Sequence, residues 1–310
     1  MAPLPRSAVD VLVFQDLPWP TLLDEARFLE QAGAGTLWVA DHYAFPLRPA
    51  APVFEAWTTL AALAASTTGL RLGSLVSNVA TRHPAMLAKL VATVDHLSAG
   101  RVDIGVGAGG GDGPYRREYE WLGIPPLRRS ERVDRLHEAV QILDQLLRQQ
   151  RVTHHGTYFT LDDAPLVPVP VQQPRPPLFI AAQGPRSLRV VAEYADGWVS
   201  LASPTVSSAD DALRACRERN LRLDEACQAI GRDSATLARL YFAGWSPAET
   251  PFASRAALED FLARYRATGV ERFIFSFASH ARPLRPNTVG RSLTRAVLDA
   301  FAAELLAPSP

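Results

Sequence analysis

The feature that most constrains this 310-residue chain is a rhythm of eight short apolar runs, separated by segments with helical periodicity. The runs are Val9–Phe14, Leu37–Ala40, Leu72–Val76, Val102–Val106, Leu178–Ala182, Trp198–Leu201, Arg239–Ala243 and Phe273–Phe277. Most are continuous rather than alternating, as expected of strands buried on both faces of a parallel sheet. Helices are predicted over Thr21–Ala32 (Thr21 as N-cap), Phe54–Ser66, Pro84–Ser98, Ser130–Gln149, Pro185–Tyr194, Ala209–Ile230, Arg255–Ala267 and Gly290–Leu306. In the third of these, Leu87, Leu90, Val91, Val94 and Leu97 make one apolar stripe.

Eight strand–helix units in a chain of this length predict an α/β fold, a single (β/α)8 TIM barrel spanning residues 1–310. A doubly wound open sheet is the other arrangement, and the regularity of the units favours closure. Two insertions interrupt the rhythm. Gly107–Arg129 follows strand 4, and Val152–Pro177, with a hairpin around His154–Phe159 and a proline-rich run, precedes strand 5. Insertions of this length inside a compact domain are usually functional. The tail, Leu305–Pro310, is expected to fray.

Composition excludes several classes. Lys+Arg and Asp+Glu are both 32, so no basic excess marks a nucleic-acid partner. Lys89 is the sole lysine, within a helical pattern, which removes the Gly-Lys pair of a P-loop and reads as a solvated helix residue. Cys216 and Cys227 form no CxxC pair and join no histidine cluster, so neither a disulfide framework nor a metal site is expected. Met1–Phe14 does not read as a signal peptide, and no stretch approaches the ~18 apolar residues of a membrane span. A cytoplasmic protein is the expectation.

In a barrel of this kind the site lies at the strand C-termini. After strand 2, Asp41 and His42 offer a general acid or base with an adjacent carboxylate to orient it, or alternatively a structural histidine capping the loop. After strand 3, Ser77 and Asn78 can hydrogen-bond a ligand and Arg82 can hold an anion, or the stretch is an ordinary loop. After strand 4, Gly105–Gly110 matches GxGxxG, but no helix opens there as a dinucleotide fold requires. Bare glycine backbone that admits a planar ring is the better reading. After strand 5, Gln183-Gly184-Pro185-Arg186-Ser187 feeds a helix whose free N–H groups suit a phosphate. His154 and His155 point to opposite faces of a strand and make a poor metal pair.

Taken together, Leu37–His42, Glu55–Leu60, Leu70–Gly73, Arg82–Ala85, Leu97–Arg101, Gly105–Gly109, Pro174–Pro177 and Tyr194–Trp198 resemble the luciferase-like flavin and deazaflavin oxidoreductases, on the side of the branch that uses coenzyme F420. The resemblance implies hydride transfer between F420 and a small organic substrate (C=C, C=N or alcohol/carbonyl), with His42 handling the proton. It implies a non-proline cis peptide at Leu75–Val76. Asp41, Leu75, Val76, Ser77, Asn78, Gly107, Ala108 and Gly109 would surround the ring, and Gln183, Gly184, Pro185, Arg186 and Ser187 the phosphate. It also implies a homodimer. An FMN-dependent monooxygenase using O2 is the alternative, and a non-catalytic flavin-binding protein a third reading. The chain departs from the family where Gly110 and Gly111 replace an acidic or aromatic residue, and where Tyr43 and Phe45 follow His42. The glycine pair suggests an open site for a larger substrate.

Overall fold

The computed structural model describes residues 9–110, 113–125, 127–149, 151–279, 290–300 and 305. Its strands are β1 (Val9–Val13), β2 (Thr36–Val39), β3 (Arg71–Ser74), β4 (Ser77–Asn78), β5 (Val102–Gly107), β6 (Arg151–His155), β7 (Thr160–Pro165), β8 (Leu178–Ala181), β9 (Gly197–Leu201), β10 (Ala238–Ala243) and β11 (Arg272–Phe277). β6 and β7 form a separate antiparallel hairpin. The others pair in the order β3-β2-β1-β11-β10-β9-β8-β5, and β3 pairs with β5 to close the ring. The structure is therefore an eight-stranded parallel barrel, with β4 as a short extension beside β5.

The helices are α1 (Trp19–Gln31), α2 (Ala56–Ser66), α3 (Pro84–Leu97), α4 (Arg116–Trp121), α5 (Arg129–Gln149), α6 (Pro185–Tyr194), α7 (Ala209–Ala229), α8 (Arg255–Arg266) and α9 (Arg295–Ala300). Caps set most starts. Glu55 accepts from the N–H of Trp57 and Thr58, His83 from Ala85, Ser208 from Asp211 and Ser254 from Ala257. Each satisfies donors that a helix start leaves unpaired. Thr21 does not cap α1, which begins at Trp19 with Pro18 in the N-cap position and Pro20 in its first turn. The last helix begins at Arg295, later than expected, because the Thr294 hydroxyl accepts the Val297 N–H. Most of the expected frayed tail, and the helical pattern past residue 300 apart from Leu305, lie outside the described residues.

Two apolar clusters hold the layers together. Leu12, Trp38, Phe179, Val199, Leu240, Phe242 and Ile274 fill the barrel interior, and a larger cluster lies between the barrel and its helices. Below the interior layer, at the strand starts, Asp10 accepts from Thr36 N (2.9 Å), Trp38 Nε1 (3.1 Å) and Arg272 (2.6 Å). Asp103 accepts from Thr36 Oγ1 (2.7 Å) and from Arg71. This polar plug seals the lower end, so the opening lies at the strand C-termini. Lys89 is exposed on α3, as expected, and donates to the Val167 carbonyl. His96 on the same helix makes a 2.7 Å hydrogen bond with the Val169 carbonyl, so α3 pins the proline-rich run.

Candidate active site

A cavity of about 830 Å3 opens at the C-terminal ends of the strands, with mostly apolar walls. β2 delivers Asp41 and His42 to it, the β3–β4 turn Leu75 and Val76, β4 Asn78, the end of β5 Gly107 to Gly110, and the loop after β8 Gln183 to Ser187. The Leu75–Val76 peptide is cis.

Glycine at Gly105 and Gly107 is a packing requirement. A Cβ on Gly105 would run into the Ser74 carbonyl, and one on Gly107 would lie 2.6 Å from Val76 Cγ2. Only bare backbone lets β5 press against the β3 turn this closely. Among the described residues the glycine run itself is not helical, and the chain next turns at Gly113–Tyr115 and α4, so the run does not open a long helix directly off the strand as a dinucleotide motif requires. Gly109 has φ +75 and no room for a side chain beside Tyr119 and Asn78. Gly110 is exposed and lines the cavity, with Tyr115 packed on its Cβ side, where a Cβ would lie 2.8 Å from Tyr115 Cβ. Gly111 lies outside the described residues.

His42 is oriented by a residue from the first insertion. Its Nδ1 lies 3.1 Å from Glu118 Oε2 on α4, and Glu118 Oε1 accepts the Tyr43 N–H at 2.5 Å. A carboxylate only accepts, so Nδ1 carries the hydrogen and Nε2 is left as the basic nitrogen. Phe45 meets the imidazole edge-on, and Tyr115 lies nearly parallel to it at 26°.

Asp41 has a different partner from the one expected. Arg82 grips it with Nε and NH2, both at 2.6 Å, and also pairs with Glu55. Burial would lower the pKa of the guanidinium, but its bonds to Asp41 and the charges of Asp41 and Glu55 outweigh this and hold it above the ordinary arginine value. Arg82 is thus spent on protein carboxylates and does not line the cavity. Ser77 likewise turns away. It is fully buried, accepts from Trp57 Nε1 at 2.9 Å and shares a 2.8 Å bond with Ser74. Its neighbour Asn78 faces the cavity but is engaged by Tyr119 (3.0 Å) and by the Ala80 N–H (2.9 Å).

At the start of α6, Gly184 is extended and Pro185 occupies the first turn. The Ser187 hydroxyl lies 3.2 Å from Gly184 N and 3.0 Å from its carbonyl. Arg129 and Arg132 from the first turn of α5, and Arg186, which pairs with Asp134, line the cavity here. Gln183 is turned inward. Its Nε2 reaches Val199 O only at 3.5 Å, and its buried Oε1 has no partner among the described residues. A buried amide oxygen without a donor is costly and is a position where a ligand N–H or O–H would be accepted.

Sequence reasoning had not singled out Glu118, Tyr115, Arg129, Arg132, Phe242 or Trp245 for the site. The one available signal was the length of the insertion Gly107–Arg129, which carries the first three. Among the described residues no group of three or more His, Cys, Asp and Glu could hold a metal. His154 instead meets Glu138 at 3.2 Å. Among the same residues no helix is long and apolar enough to cross a membrane.

Comparison with known proteins gives the class to which this barrel belongs. The luciferase-like monooxygenase profile matches residues 7–304, and the chain belongs to that family. An F420-dependent hydroxymycolic acid dehydrogenase of Mycobacterium tuberculosis is 31% identical over 239 residues, covering 76% of this chain and 62% of that one. An F420-dependent glucose-6-phosphate dehydrogenase of Beutenbergia cavernae is 36% identical over 187 residues, covering 57% and 51%. The chain thus spans about half to three-fifths of the length of these relatives. A solved F420-dependent secondary alcohol dehydrogenase, in complex with an F420–acetone adduct, has a TM-score of 0.76 at 18% identity, covering 97% of this chain and 98% of that one. At that identity the likeness speaks for the fold.

Proposed function

We propose that this chain is an F420-dependent oxidoreductase acting on a small organic substrate, with residues 1–310 forming one catalytic domain. The observation that carries the reading is that His42 and the cationic start of α6 open onto one cavity, with bare glycine backbone and the Leu75–Val76 turn between them. The relatives named above are consistent with it. When bound, F420 would supply or accept a hydride, that is, two electrons at carbon.

The residues present suit that cofactor. The N–H groups at the start of α6, with Arg129 and Arg186, would hold its phosphate. Gln183 Oε1 would accept a ligand donor it now lacks. Leu75, Val76, Gly107, Ala108 and Gly109 would offer a flat, largely apolar seat for the ring. Asp41 and Asn78 border that seat with their polar groups committed to the protein, so they shape it. His42 Nε2 would give a proton to the substrate oxygen in reduction and take it back in oxidation. General catalysis of this kind contributes typically 10²–10⁴ in rate. Glu118 would keep the ring in the productive tautomer.

We also read the protein as a cytoplasmic homodimer, which light scattering and cell fractionation would test. The cofactor reading itself is tested by titrating purified apo-protein with F420 and with FMN, read by fluorescence quenching. Micromolar or tighter binding of F420 in preference to FMN supports it. Preference for FMN, with O2 consumed on turnover, replaces it with monooxygenation.

A further inference from the structure

Charge is unevenly distributed around the cavity. Among the described lining residues the cations, His42 aside, are Arg129, Arg132 and Arg186, and all three come from the first turns of α5 and α6. The carboxylates on the lining are already paired, Asp41 with Arg82 and Glu118 with His42 and the Tyr43 N–H. Around the rest of the mouth the loops bring aromatic and aliphatic side chains. β10 and the turn after it supply Phe242 and Trp245, packed 5.6 Å apart. β9 and its loop supply Leu201 and Pro204, and the first insertion supplies Tyr115 beside His42. Trp245 is fixed from behind, because Arg291 donates to its carbonyl at 2.7 Å and to that of Gly244 at 2.8 Å.

We infer that the substrate presented to His42 has an uncharged, apolar body, an aryl or alkyl ketone and its secondary alcohol, and carries no phosphate or carboxylate near the reacting carbon. The inference rests on the cofactor reading above, which assigns the arginine end to the cofactor phosphate. The lining that His42 then shares with the substrate includes Tyr115 beside it and, on the same cavity, Leu201, Pro204, Phe242 and Trp245. An anionic group buried there would lose its hydration, and among the described residues that part of the lining brings no cation to replace it. An apolar body gains from the same burial, and the aromatic faces favour a planar one. A ketone also asks for what His42 provides, one proton donor at its oxygen.

The test is calorimetric binding of two probes, acetophenone and glucose 6-phosphate, to the protein loaded with F420, followed by turnover of 1-phenylethanol and glucose 6-phosphate. The expected result is at least tenfold tighter binding of the ketone and turnover of its alcohol alone. Trp245→Arg should then weaken the ketone about tenfold and narrow its lead over the phosphate, while Trp245→Phe keeps the preference. If the Arg variant fails to fold, the wild-type comparison and the Phe variant still decide. Glucose 6-phosphate binding as tightly as the ketone, or no ketone binding, with F420 bound normally, overturns the substrate class alone. Failure of the wild-type protein to bind F420 overturns the reading beneath it as well.

Discussion

His42 and Glu118 stand 76 residues apart in the chain and meet through Nδ1 and Oε2 at 3.1 Å. The contact ties the first insertion to the end of β2, and Glu118 is 5% exposed, so it is fixed there by its surroundings. If His42 handles the substrate proton, His42→Ala should lower kcat by about 10²–10⁴. Glu118→Ala removes a hydrogen bond worth about 1.5–3 kcal/mol, which corresponds to roughly 10- to 150-fold in kcat. F420 affinity should change little in either variant, and Glu118→Asp should recover part of the loss. Unchanged kcat in His42→Ala would remove the histidine from the mechanism.

Arg82 is expected to matter for stability rather than for ligand binding. Arg82→Leu leaves Asp41, 9% exposed, without its bidentate partner. Breaking a fully buried pair costs about 3–5 kcal/mol, and the partial exposure here reduces that to on the order of 2 kcal/mol. Urea denaturation measures the loss. A normal midpoint combined with lost F420 binding would instead make Arg82 a ligand contact.

Gly109→Ala should destabilise the protein by about 1–3 kcal/mol. Its φ of +75 disfavours any side chain, and the new methyl would collide with the Tyr119 hydroxyl and the Asn78 amide. Because Asn78 lines the cavity and Tyr119 accepts its amide hydrogen bond, F420 affinity should fall with the melting temperature. Loss of stability with no change in affinity would separate Gly109 from the cofactor seat.

A pH effect is expected from the far side of β10. Glu249 is 1% exposed and accepts from the Tyr241 and Tyr265 hydroxyls at 2.7 and 2.5 Å. Burial raises its pKa above 4.5 in spite of these bonds. The folded state therefore holds the Glu249 proton more tightly than the unfolded chain. Its contribution to stability is fullest below 4.5 and is lost as pH rises through the raised folded-state value. Glu249→Gln keeps an acceptor for the phenols and does not titrate. The melting temperature of the variant relative to wild type should be higher at about pH 8 than at about pH 5. An equal difference at both would show that Glu249 is ionised throughout.

The sequence by itself determined the barrel. Each of the eight strands falls within a residue or two of its apolar run, because strands buried on both faces must be apolar throughout. Pro84 and Pro185 open α3 and α6 where expected, because proline's fixed φ and missing N–H suit a first turn. It also brought the strand ends with Asp41, His42, Asn78, the glycines and Gln183–Ser187 to the right end of the barrel, since all follow strands. Tertiary structure decided what these side chains do there. Ser77 and Asn78 are neighbours, and alternation along β4 sends one to Trp57 and the other to the cavity, a choice that needs the register. Arg82 meets Asp41, not a ligand, and His42 meets Glu118, not Asp41, because a guanidinium or carboxylate goes to the nearest buried opposite partner. Which partner is nearest depends on where the insertion between β5 and α5 crosses the barrel mouth. No periodicity in the chain encodes that crossing.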